Sequence, residues 1–214
     1  MYMRFLRYWI TTALLLLAPT LLVNAQHSML GVPQDVTTRL INETFDGIET
    51  QYYLHESKIL DFKWDGVGQF WIPDDEANYA ASLSYKDRRL PNLKMQLSVH
   101  RPNSQITTLD DPTLERFRAS LEKSLLAGGN TWDFLNPEAT RPPVGSRPFF
   151  GGYYRMLEYL VTPIDKTLEP YRIIEYYRIL ESDIIIVLRY AGPSDVIERM
   201  KDSLPREMSR FSVL

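Results

Sequence analysis

Residues 184–188 read Ile-Ile-Ile-Val-Leu without a polar interruption. Successive side chains of a strand point to opposite faces, so such a run is apolar on both. It is too short and too β-branched for a helix, and it needs cover above and below. A chain built around it therefore has a sheet with a layer on each side. The neighbouring segments fit. Tyr171 to Leu180 reads as a second strand, joined to the run by Glu181-Ser182 as a hairpin, and Tyr153 to Val161 reads as a third. Further upstream Leu93, Met95, Leu97 and Val99 alternate with Lys94, Gln96, Ser98 and His100, the period of a half-buried strand. Lys58 to Trp64 and Val67 to Ile72 flank Asp65-Gly66, a dipeptide suited to a tight primed turn, and Asn78 to Tyr85 follows as another strand.

Two helices are available as cover. Asp110-Asp111-Pro112 is a helix start, since Asp caps free amides and Pro is tolerated in the first turn. Leu114, Phe117, Leu121 and Leu125 then line one side, and Gly128-Gly129 offers a left-handed end. A second helix is expected from Ser194, with a stripe of Val196 or Ile197, Met200, Leu204, Met208 and Phe211, kinked or split at Pro205. Asp35 to Tyr52 repeats apolar residues every three to five positions and is expected as a helix, against which stand Gly47 and several Thr. Asn136 to Pro148 is a Pro-rich connection, read as a surface loop. The fold class is α+β, a mostly antiparallel sheet flanked by helices in an α/β/α sandwich. The expected organisation is a leader at 1–25, an N-terminal segment at 26–57 and one domain at 58–214.

This order of elements resembles the PsbP-like fold of lumenal and periplasmic accessory proteins. The resemblance rests on the early strands through Val99, the helix from Pro112 to Ala127, the meander of long strands, and the ending Met208-Ser209-Arg210-Phe211-Ser212-Val213. It covers residues 58–213 in topology, while Asp35 to Tyr52 departs from it. It implies a binding or assembly role rather than catalysis, and it carries no functional residue onto this chain.

The N-terminus gives an address. Arg4 and Arg7 precede an apolar run of 14 residues from Ile10 to Val23, and Val23-Asn24-Ala25 places small residues before Gln26. That is the plan of a secretory signal peptide cleaved between Ala25 and Gln26. The alternative is an uncleaved anchor, because no charge occurs between Arg7 and Asp35. Against it stand Pro19 and a length short of the roughly 20 residues that span a bilayer. With no Cys in the chain, there is neither a lipid-anchor site nor a disulfide to stabilise an exported body. The 13 Tyr, 9 Phe and 4 Trp supply a core that does not need one. A bacterial periplasmic or secreted location follows.

Chemistry is sparse. The net charge of −3 lacks the basic surplus of a nucleic-acid binder. His27, His55 and His100 have no metal-ligand spacing, and no Ser stands in a nucleophile elbow. His55-Glu56-Ser57 is a run of adjacent residues, which rarely face one another, and a triad is recognised by geometry and not by adjacency. Asp74-Asp75-Glu76 and Asp110-Asp111 read as a turn and a helix cap. No catalytic residue, cofactor or metal site is expected. The remaining candidates form a ligand surface of Arg172, Tyr176, Arg178, Arg155 and Tyr154, where guanidinium groups and rings suit an anionic or aromatic ligand. Cross-strand packing with Glu158 and Glu175 is the competing account.

The expected function is a non-enzymatic binding or accessory role in the envelope, toward a partner protein or a small ligand. The alternatives are an envelope hydrolase using carboxylate and Tyr groups, or a membrane-anchored structural subunit. Membrane contact is expected only if the leader is kept. Ile186→Asp is expected to unfold the domain by burying a lone charge; a variant melting with the wild type would refute the central-strand assignment.

Overall fold

The computed structural model describes residues 30, 34–65, 71–73, 83–87, 89–90, 92–102, 106–135, 154–181, 183–201 and 203–214. The leader with Ala25 and Gln26, the acidic run 74–76, the loop 136–148, Gly66, Tyr153 and Ser182 lie outside them.

The apolar run lies in β10 (Ile184–Pro193), the middle strand of a seven-stranded antiparallel sheet. Across that sheet run β4 (Trp71–Pro73), β5 (Leu83–Asp87), β6 (Lys94–His100), β10, β9 (Tyr171–Glu181), β8 (Arg155–Thr162) and β7 (Thr131–Phe134). Residues 184–190 of β10 are all buried.

On one face Ile185 and Val187 join Leu157, Tyr159, Ile173 and Tyr177 under helix α1 (Asp111–Ala127). The helix seats Leu114, Phe117, Leu121 and Leu125 there, with Phe117 stacked on Tyr177 at 5.0 Å between ring centres. Its start is the expected one: the Asp110 side chain accepts the Thr113 amide at 2.9 Å. Its end passes through Gly129 at φ 73°, a conformation that favours glycine.

On the other face Ile174, Tyr176, Ile186, Leu188 and Tyr190 meet two kinds of cover. One is a pair of short helices, α2 (Ser194–Met200) and α3 (Leu204–Met208). The other is a four-stranded sheet in the order β1 (Val36–Phe45), β2 (Ile48–Ser57), β3 (Phe62–Trp64) and β11 (Phe211–Val213). Phe62, Trp64 and Phe211 of this sheet enter the shared core, with Trp64 and Phe211 stacked at 5.6 Å. The architecture is α+β, mostly antiparallel, with helices on both faces and a small sheet sharing one of them.

Several expectations are corrected. Residues 35–52 are no helix: Val36–Phe45 and Ile48–Ser57 form a hairpin closed by Asp46-Gly47. Both turn residues have positive φ, 49° and 77°, the signature of a type I′ turn. The apolar spacing there matched a helix by coincidence, while the β-branched Thr residues favoured a strand. β2 also pairs with β3, at Tyr53, Leu54 and His55. The expected turn at Asp65-Gly66 lies partly outside the described residues; of the strands expected on its two sides, Trp64 pairs with Tyr53 and Phe211, whereas Trp71 pairs with Asp87 in the other sheet. The C-terminal helix ends at Met208, and Phe211 lies on a strand. The split expected at Pro205 is present, with Pro205 in the first turn of α3, where its missing N–H costs no helical bond. β7 was not anticipated from the sequence.

His55 of β2 is fully buried, tilted against Phe62 at 4.7 Å, with Nδ1 at 3.1 Å from Thr38 Oγ1. Burial pushes its pKa down from 6.5 to about 3, so it is neutral in the fold. Between those values the unfolded chain binds a proton that the folded chain refuses. Stability present above pH 6.5 is therefore lost on acidification, with a limiting slope of about 1.4 kcal/mol per pH unit. Melting curves from about pH 7 to about pH 4 are expected to fall less steeply for His55→Phe than for the wild type; parallel curves would contradict this assignment.

Candidate functional site

Glu158 on β8 is almost fully buried and sits beside two cations. Arg172 Nη1 donates to Glu158 Oε1 at 2.9 Å, and Lys201 Nζ reaches Oε2 at 3.1 Å. Arg172 also pairs with Glu198 of α2. These pairs fix α2 and the residue after it to the sheet. Cutting one partner out of a buried pair strands the other at a cost of about 3–5 kcal/mol.

α2 held in this way forms one wall of a cleft of about 530 Å³. Val196, Arg199 and Met200 come from α2, and Ser203 and Glu207 from the turn after it and from α3. The opposite wall is the edge of the large sheet: Trp71 of β4, Asp87 of β5, and the Arg89-Leu90 turn. Trp71 is buried and leans on Tyr190 of the central strand at 5.9 Å. The floor is thus apolar and aromatic.

Asp87 is fully buried but fully engaged. Its Oδ1 accepts the Arg89 amide at 2.7 Å and the Leu90 amide at 3.2 Å, and Oδ2 accepts Arg89 Nη2 at 3.2 Å. This carboxylate holds the turn that shapes the wall. Arg199 lies on the exposed rim, paired with Asp195 at 3.1 Å. Glu207 is different. Burial holds its carboxyl above the usual 4.5; Arg210, 3.7 Å away, pulls it back, and Asp87 raises it further. Close by, the hydroxyl of fully buried Tyr190 has no hydrogen-bond partner among the described residues, and burial, Tyr176 and Glu207 all hold its proton on.

The five residues proposed as a ligand surface do not share one face. Arg155 points to the α1 side, donating to the Leu109 carbonyl at 2.8 Å and to Asp111 at 2.5 Å. Tyr154 and Tyr176 are buried in the core on the opposite side, edge to face at 5.2 Å. Arg172 belongs to the Glu158 network, and Arg178 lies opposite Ile186, its pKa lowered by burial. Glu175, fully buried on the α1 side, accepts Arg189 Nε at 2.6 Å and the Tyr177 hydroxyl. Of these contacts, Arg172 with Glu158 and Arg189 with Glu175 run across strands. The cleft itself escaped the sequence reading because its walls come from segments far apart in the chain. Asp87 and Arg89-Leu90 look like an ordinary charged turn there.

Among solved structures the chain is similar to cyanobacterial PsbP from Synechocystis sp. PCC 6803, at 17% identity and TM-score 0.45, covering 85% of this chain and 94% of that one. It is also similar to the Ran-binding protein Mog1p of Saccharomyces cerevisiae, at 11% identity and TM-score 0.43, covering 82% and 95%. No family model and no curated protein matches.

A raised carboxyl makes the folded state favour the protonated form, so the stability it contributes is present below the ordinary pKa of 4.5 and is lost as pH rises. Glu207→Gln is therefore expected to melt above the wild type at neutral pH, the gap closing as acid protonates Glu207. A variant less stable than the wild type at neutral pH would overturn this reading.

Proposed function

We propose that this chain is an exported accessory protein of a bacterial envelope that binds a partner or small ligand without transforming it. The apolar floor of the cleft is the observation that carries the reading. Trp71, Leu90, Val196 and Met200 offer surface for an aromatic or aliphatic group, and contacts of that kind dominate recognition in preformed pockets. The other charges are spent internally, buried Asp87 on Arg89 and exposed Arg199 on Asp195. Glu207, beside Arg210 at 3.7 Å, supplies the directional hydrogen bond that fixes the ligand's orientation. The leader with its Ala25–Gln26 junction supports export to the periplasm or beyond.

A hydrolase is the second reading, favoured by Glu207 and Asp87 lining one cleft, with burial raising the carboxyl of the former above its usual range. The bonds already made by Asp87 speak against its serving as the base.

A native mass spectrum of the protein taken gently from a bacterial envelope separates these. The expected chain begins at Gln26 and carries an added mass that Met200→Glu removes while circular dichroism still reports a folded chain. A full-length chain in the membrane fraction would support the anchored subunit instead. Ester or amide hydrolysis abolished by Glu207→Gln would support the hydrolase.

A further inference from the structure

We infer that β1 is a self-association edge, pairing antiparallel with β1 of a second copy about a two-fold axis at Ile41. β1 ends the four-stranded sheet, and no described strand pairs with its outer side. It is 10 residues long without Pro or Gly. β3 supports β2 only at Tyr53, Leu54 and His55, so the far half of the hairpin projects beyond the sheet as a two-stranded ribbon. A ribbon of this kind is marginal alone in water. Leu40 at 46% and Ile48 at 67% exposure leave apolar surface on it.

The charges identify the occupant. Natural edges are usually guarded by like charges, Pro or bulges. β1 instead carries one Arg and one Glu, at 39 and 43, placed symmetrically about Ile41. An antiparallel copy centred on Ile41 sets Arg39 opposite the partner's Glu43, and Glu43 opposite the partner's Arg39. The register is also allowed by the backbone. The two-residue turn makes Phe45 and Ile48 a hydrogen-bonded pair, so the odd-numbered residues of β1 bond inward to β2 and the even-numbered ones present N–H and C=O outward. Centring on Ile41 matches even with even, Thr38 with the partner's Thr44 and Leu40 with the partner's Asn42. The Arg–Glu pairs then fall in the non-hydrogen-bonded rows, where side chains come closest.

Both charged groups are already positioned. Arg39 forks onto Glu56 through Nε at 2.8 Å and Nη2 at 2.9 Å, and the Tyr52 hydroxyl donates to Glu43 Oε1 at 2.7 Å. Neither Arg39 Nη1 nor Glu43 Oε2 has a described partner. Dimerisation would join two four-stranded sheets into one continuous sheet across the molecule's outer side.

Sedimentation equilibrium of the wild-type protein is expected to show a monomer–dimer equilibrium. Arg39→Glu places like charges opposite each other twice per dimer and is expected to weaken association about tenfold or more. The double variant Arg39→Glu/Glu43→Arg is expected to restore it. That rescue cannot come from within the hairpin, because the Glu56 contact stays broken in both variants. Leu40→Pro removes an outward N–H, so dimers should be lost while circular dichroism still reports a folded chain. A wild type that is monomeric at every concentration, or a double variant no better than the single one, overturns the inference.

Discussion

Burial of β10 on both faces is the constraint on which the rest of the structure depends. A strand with Ile185 and Val187 on one side and Ile186, Leu188 and Tyr190 on the other must lie inside a sheet, between two layers. β6 and β9 satisfy its backbone, α1 covers one face, and α2, α3 and the small sheet share the second. Arg189 is the one charged residue in the strand's buried stretch, and it is matched across the ladder by Glu175 on β9. A pair so placed makes a slipped register costly, since a shift by one residue would bury both charges against apolar groups.

The second face is where the molecule departs from a plain sandwich. Two kinds of cover meet over one sheet, and among the described residues they leave a gap. Between the α2–α3 pair and the β4–β5 edge the cleft remains, floored by Trp71 against Tyr190. The Glu158, Arg172, Glu198 and Lys201 pairs hold one wall, and the Asp87 turn holds the other. Each wall is therefore anchored by a buried carboxylate with fixed partners, Glu158 on one side and Asp87 on the other. Binding to such a site loses little to reorganisation.

How much was legible beforehand follows from how local each signal is. The Ile-Ile-Ile-Val-Leu run, the alternation in β6 and the Asp110 cap are read from adjacent residues, and they gave the central strand, its neighbour and α1. β6 is not half-buried, however, because between β5 and β10 it has Gln96 and His100 buried as well as its apolar side. The Asp-Gly signal was also local, but the chain offers it twice. Asp46-Gly47 makes the hairpin, while Trp64 beside Asp65 is taken up by β2 and β11. Nothing within either dipeptide distinguishes them; tertiary pairing does. Phe211 shows the same limit, for an apolar residue one turn beyond Met208 fits a helical stripe until the strand at Trp64 claims it. The Arg and Tyr residues of the long strands were correctly seen as numerous. Their partition between two faces, and the cleft assembled from β4, β5, α2 and α3, depend on contacts that no local pattern encodes.

Native-state hydrogen exchange measured along the whole chain tests the central-strand account most directly. Amides of Ile185 to Leu188 are predicted to exchange only through global unfolding, at the slowest rates in the protein, while those near the Asp46-Gly47 turn exchange by local opening. Exchange in β10 as fast as at that hairpin tip would contradict the account.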